Sequence, residues 1–229
     1  RPSGIPGGDE NVEYGSHDAM WENNIADDYS GGFSVQPEFR SASGVNNRYY
    51  GNITYGEYSG WYTQARGNSI DVMTRDTYLE NFVAINVNPY PAVYLRDAKN
   101  TRCVNCTIIG GSSSGVATDQ QRGYSGDGAP TTYLTNVLAV NNGDTGFSIT
   151  GQAAWAITYS HAYNNGTNYS PYDSHVTNSI SIDPQLGACR VFIPDSSPMK
   201  HAGKNGADIG ANILYAYENG TLTNKPLWN

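Results

Sequence analysis

The chain has 229 residues, 38% hydrophobic and only 15% charged, with 26 Gly and 18 Tyr. A formal charge of -8 repels a phosphate backbone and argues against nucleic acid as a partner. No run of about 18 apolar residues exists, so no membrane span is expected. The length fits one large β domain.

Lys is scarce while Asn, Thr, Ser, Gly and Tyr are abundant, a composition of strands and turns rather than of helices. The chain opens on Arg1 without Met or an apolar leader, so residues 1–13 are expected to be an extension or the edge of a fragment. An odd cysteine count (Cys103, Cys106 and Cys189) leaves the redox compartment open. Cys103 and Cys106 form Cys-x-x-Cys followed by Thr107, and two buried thiols flanking a bend are expected rather than a redox pair.

Self-similarity organises the rest. WENNIADD, YGNITYGE, LENFVAIN, CVNCTIIG and LTNVLAVN share one pattern, with weaker copies in ITYSHAYN and VTNSISID. Their anchors are Asn23, Asn52, Asn81, Asn105, Asn136, Tyr159 and Asn178, separated by 19 to 31 residues. A second short strand, usually opened by Gly, follows each of the first five anchors: GFSV, GWYT, AVYL, GVAT and GFSI. Units of this size without a helix pattern predict a solenoid of stacked coils. Stacking at about 4.8 Å would let the anchor asparagines bond one another, and Asn tolerates the left-handed backbone of a sharp bend. The expected ladder is Asn23, Asn52, Asn81, Asn105, Asn136 and Asn178.

Two positions before the anchor, Trp21, Tyr50, Leu79, Cys103, Leu134, Ile157 and Val176 form an apolar column expected to point inward. On the second strand Ser34, Tyr62, Tyr94, Ala117 and Ser148 are expected outside, followed by Gln36, Gln64, Arg96, Asp119 and Thr150. The outer columns of the anchor strand are apolar as well, at Ile25, Val83, Leu138 and Ile180, then Ile85, Ile109, Val140 and Ile182. A strand apolar on both faces is covered on both. This face (Val83, Ile85, Ile109, Leu138, Val140, Ile182) is therefore expected to pack on another chain, another copy or an absent upstream segment. His161 is expected on the same outer side, beside Tyr163.

These columns resemble the right-handed parallel β-helix superfamily, the pectate-lyase-like fold of secreted and surface proteins, including its asparagine ladder. Residues 181–186, 195–203 and 207–211 resemble the last coil of many bacterial extracellular β-helix proteins. The resemblance implies an all-β, right-handed single-stranded parallel β-helix of about seven coils. Coils are expected over 14–193 and a closing coil and tail over 194–229. Two departures stand out. No strand with an Asp-Gly-rich cap precedes Tyr14, and the motifs of polygalacturonases and pectate lyases are absent, which disfavours pectin-specific enzymes.

Aromatic faces beside amide, guanidinium and carboxylate groups suit a sugar chain lying along the rod. The expected substrate-binding residues are Tyr62, Gln64, Tyr94 and Tyr124. If the protein cleaves its polysaccharide in the manner of a lyase, Arg96, Asp97, Asp119 and Arg122 are the catalytic candidates, because a uronate lyase must neutralise a carboxylate and remove a proton. A carboxylate pair would instead run hydrolysis. Asp119 and Asp127 supply oxygen ligands for Ca²⁺. The expected function is a secreted or cell-surface protein that binds polysaccharide along this face. The alternative is a non-catalytic assembly rod that uses the apolar flank.

Overall fold

A computed structural model describes residues 10–13, 20–22, 25–27, 33–36, 48–51, 53–55, 61–63, 74–96, 98–119, 130–186, 193–212, 215–219 and 221–226. The chain visits three parallel sheets in rotation. Sheet 1 holds Met20–Glu22, Arg48–Tyr50, Tyr78–Glu80, Thr101–Val104, Thr131–Thr135, Ala154–Thr158 and Val176–Thr177. Sheet 2 holds Ile25–Asp27, Ile53–Tyr55, Val83–Ile85, Thr107–Ile109, Leu138–Val140 and His161–Tyr163, to which Ile180 adds a bridge. Sheet 3 runs from Glu10–Glu13 through Phe33–Gln36, Trp61–Thr63, Val93–Arg96, Val116–Asp119 and Thr145–Ser148 to Thr167–Ser170. Each strand pairs in parallel with its counterpart one rung away, the arrangement of a β-solenoid. Among the described residues the one helical element is the short turn Lys204–Gly206. An antiparallel hairpin, Tyr215–Glu218 with Thr221–Pro226, follows.

The bends explain why this sequence turns where it does. Asn81, Asn105, Asn136, Tyr159 and Asn178 all adopt positive φ between sheets 1 and 2, a conformation that costs most L-residues about 1–2 kcal/mol and Asn less. The register corrects one anchor. Tyr49 pairs with Leu79 and Tyr50 with Glu80, which places Gly51 rather than Asn52 in the column. Gly51 has φ 65 and no Cβ to strain. Tyr49, not Tyr50, therefore fills the core, and burial pushes its phenol up in pKa. Asn23 and Asn52 lie outside the described residues. Sheet 3 begins at Glu10, inside the stretch read as an extension.

The inward columns form one core. Leu79, Cys103, Leu134, Ile157 and Val176 stack below sheet 1, and Ala84, Ile108, Ala139 and Ala162 below sheet 2. Val93, Leu95, Val116 and Phe147 close it from sheet 3, where Phe147 stacks on Tyr169 at 5.4 Å. Cys103 and Cys106 are free and buried. Burial, then the neighbouring Cys106, raises the Cys103 thiol well above its ordinary pKa, which keeps it protonated.

The apolar outer face of sheet 2 is covered, but by a different element from the one expected. Val83, Ile109, Leu138 and Val140 are buried against Ile193, Met199, Ile209 and Ala211 of this chain, with Ile85 packed alongside. No second chain or upstream segment is needed, because residues 193–212 return along the sheet as a strap. Ile182 stays 47% exposed. The strap is pinned to one strand residue and two bend residues: Ala211 N–H donates to Thr107 Oγ1 (2.8 Å), Gly210 N–H to the Asn136 carbonyl (2.9 Å), and Asn212 N–H to Asn81 Oδ1. Within it, Asp208 accepts from Lys200 Nζ and His201 N–H, both at 2.9 Å. Truncating Leu138 to Ala opens a cavity between sheet and strap, for which we expect a loss of about 2–5 kcal/mol in denaturant unfolding.

His161 points outward from sheet 2 yet is fully buried, with Nε2 2.6 Å from the Ile182 carbonyl and Nδ1 without a hydrogen-bond partner. Burial lowers its pKa to about 4, outweighing the raising effects of the Ile182 and Ile180 carbonyls and Asp183. The unfolded chain takes up a proton near 6.5 that the fold refuses. Stability should therefore fall as pH drops from about 6.5 towards 4, by on the order of 3 kcal/mol. Urea titrations of the wild type and His161→Gln check this: the variant should show a flatter pH dependence over that window, and parallel curves would remove His161 as the cause.

Candidate functional site: a groove on the outer face of sheet 1

In-register pairing carries each outward residue into line with the same position on neighbouring rungs. On sheet 1 this builds one column from Met20, Arg48, Tyr78, Arg102, Tyr133 and Ala156. Beside it run Glu80, Val104, Thr135 and Thr158, with Thr135 and Thr158 hydroxyls 3.1 Å apart. Guanidinium and phenol groups thus alternate rung by rung.

The column floors a groove. A cleft of about 490 Å³ is lined by Arg48, Asp76, Tyr78, Glu80, Asn100 and Arg102 among others. It continues into one of about 810 Å³ bounded by Tyr78, Arg102, Tyr133, Asn136 and Thr158. The far wall of the larger cleft is the strap turn, Lys204 to Ala207. Burial first, then the Glu80 carboxylate, raises the Tyr78 phenol, while Arg102 opposes the shift. Along one edge Asn100 Nδ2 donates to Asp76 Oδ1, and Arg102 reaches Asn100 Oδ1 at 3.5 Å.

The ladder has a second role here. Asn136 Nδ2 donates to Asn105 Oδ1 at 2.9 Å, the expected rung-to-rung bond. Asn136 Oδ1 accepts the Lys204 N–H at 2.7 Å and so fixes the groove's far wall. A further ladder lies at the next bend, where Asn164 Nδ2 donates to Asn141 Oδ1 (2.7 Å) and Asn142 Nδ2 to Asn165 Oδ1 (2.9 Å). The doubled Asn of LAVNNG and AYNNG was the signal for it.

On sheet 3 the residues of the expected outer column fall in the expected register, though Ala117 is buried. Ser34, Tyr62, Tyr94, Ala117 and Ser148 share one column, and Arg96 pairs with Asp119 beside it. Tyr94 Oη donates to Asp119 Oδ2 at 3.3 Å. The side chains of Tyr62 and Arg96, and all of Gln64, Asp97, Arg122, Tyr124 and Asp127, lie outside the described residues. Among the described residues no group of three or more His, Cys, Asp or Glu is placed to hold a metal ion.

Arg48, Tyr78, Arg102, Tyr133 and Lys204 were not singled out by sequence. Their signal was the position three before each anchor. Taking Asn52 as an anchor put Tyr49 there in place of Arg48 and broke the alternation. Lys204 follows no repeat and enters through the strap alone.

No known family model matches the chain, and neither a curated protein nor a solved structure is significantly similar to it.

Asn136 offers a direct test of this geometry. Asn136→Gly and Asn136→Ala both lose the bonds to Asn105 and Lys204, but only Ala must hold its Cβ at φ 55. We expect Ala to cost about 1 kcal/mol more than Gly in chemical unfolding. Equal costs would mean that the bend backbone relaxes.

Proposed function

We propose that this is a secreted or cell-surface polysaccharide-binding protein, built on a right-handed parallel β-helix, whose sugar chain lies along the outer face of sheet 1. The observation that supports this reading is the continuous groove floored by Arg48, Tyr78, Arg102 and Tyr133. Phenol rings provide flat apolar surface against sugar faces, and guanidinium groups provide paired donors for hydroxyls or carboxylates. The groove runs across rungs, as a linear polymer requires, and is open along its length rather than a closed pocket. The protein-partner alternative loses its motive, since the face that suggested it is occupied by the strap.

The test is affinity electrophoresis of the purified chain in gels containing acidic or neutral polysaccharides. Tyr133 is 37% exposed, so Tyr133→Ala leaves the core intact, and we expect it to weaken retardation about tenfold or more. Unchanged retardation in Tyr133→Ala, with loss in Tyr94→Ala, would move the site to sheet 3. Product analysis of the same mixtures decides on cleavage: unsaturated uronate ends signify a lyase, new reducing ends alone a hydrolase.

A further inference from the structure

Resting on the groove reading, we infer the charge pattern of its ligand: a polysaccharide with a disaccharide repeat in which every second sugar is anionic. The order of charges along the rungs carries this assignment. Arg48 and Arg102 are separated by the Tyr78 rung, which places two cations about 10 Å apart, twice the strand spacing. Neither the Arg48–Tyr50 strand nor the Thr101–Val104 strand carries a carboxylate. The rung between them carries two, Glu80 on the strand itself and Asp76 at the preceding bend, and both line the groove beside Tyr78. Arg75 and Lys99, on the paired two-residue strands Thr74–Arg75 and Ala98–Lys99 that precede sheet 1, line neither stretch of it.

An anion at the Arg48 or Arg102 rung meets a guanidinium. An anion at the Tyr78 rung meets two carboxylates, and repulsion over a few ångströms at a partly screened surface is enough to discriminate. The Tyr78 rung therefore takes a neutral sugar against its ring. The next aromatic rung, Tyr133, brings a second ring two rungs further on, but with no carboxylate on its strand and with Lys204 in the facing wall, so the discrimination rests on the Arg48, Tyr78 and Arg102 rungs. A pyranose in an extended chain is about as long as one rung is high, so successive sugars can follow successive rungs. The pattern matches an alternating acidic polymer and mismatches both a neutral glycan and a polyuronate charged at every sugar.

The experiment is isothermal titration of the full chain with three oligosaccharides of equal length: chondroitin, charged on alternate sugars; oligogalacturonate, charged on every sugar; and a neutral xylo-oligosaccharide. Wild type should bind chondroitin about tenfold or more tighter than either of the others. The double variant Asp76→Asn, Glu80→Gln should raise oligogalacturonate affinity until the preference over it disappears, and Arg102→Gln should remove the preference over the neutral chain. Thermal melts confirm that each variant folds. Tyr133→Ala separates the two claims. If it weakens binding while wild type ranks oligogalacturonate level with or above chondroitin, the charge pattern is wrong and the groove stands. If it changes nothing, or no oligosaccharide binds, the groove reading fails and takes the inference with it.

Discussion

Parallel pairing between successive rungs is the constraint from which the rest follows. At about 4.8 Å per rung, each side chain is held over its counterpart, so a property repeated at one position becomes a continuous stripe. An inward stripe of Leu79, Cys103, Leu134 and Ile157 becomes core. An outward apolar stripe must find a cover, and an outward polar stripe remains available to solvent and ligands.

The three outer faces meet this constraint differently. Sheet 2 presents Val83, Ile109, Leu138 and Val140, and the strap buries them. Sheet 3 sets Tyr94 against Asp119. Sheet 1 keeps Arg48, Tyr78, Arg102 and Tyr133 along a groove that the strap closes on one side. Asn136 connects these functions, since it bonds along the ladder to Asn105 and across to Lys204. The strap is thus both the cover of one face and the wall of the next. A change in its docking would therefore move the groove's far wall directly.

Much of the architecture was legible because columns are a property of sequence once the repeat is seen. Leu79, Cys103, Leu134, Ile157 and Val176, each two before its anchor, point inward as the pattern predicts, and the Arg48–Tyr50 rung departs from it. There Gly51 replaces Asn52: a glycine satisfies the bend without a side chain, so a pattern keyed to asparagine slips by one residue and turns Tyr49 and Tyr50 about. That slip also concealed the alternation on sheet 1. The strap was illegible for a different reason. Residues 193–212 make long-range contacts that no local period encodes, so apolar columns at Val83 and Leu138 announced a cover without identifying it. His161 is placed outward by register and is buried with its Nε2 against the Ile182 carbonyl, a contact outside the strap that the repeat does not encode either.

Hydroxyl-radical footprinting of the protein with and without a bound acidic oligosaccharide tests the central claim most directly, because it reads both tyrosine faces in one sample. Ligand protection is expected at Tyr78 and Tyr133 on sheet 1, with Tyr94 on sheet 3 unchanged. Protection at Tyr94 while Tyr78 and Tyr133 stay as reactive as in the free protein would contradict it.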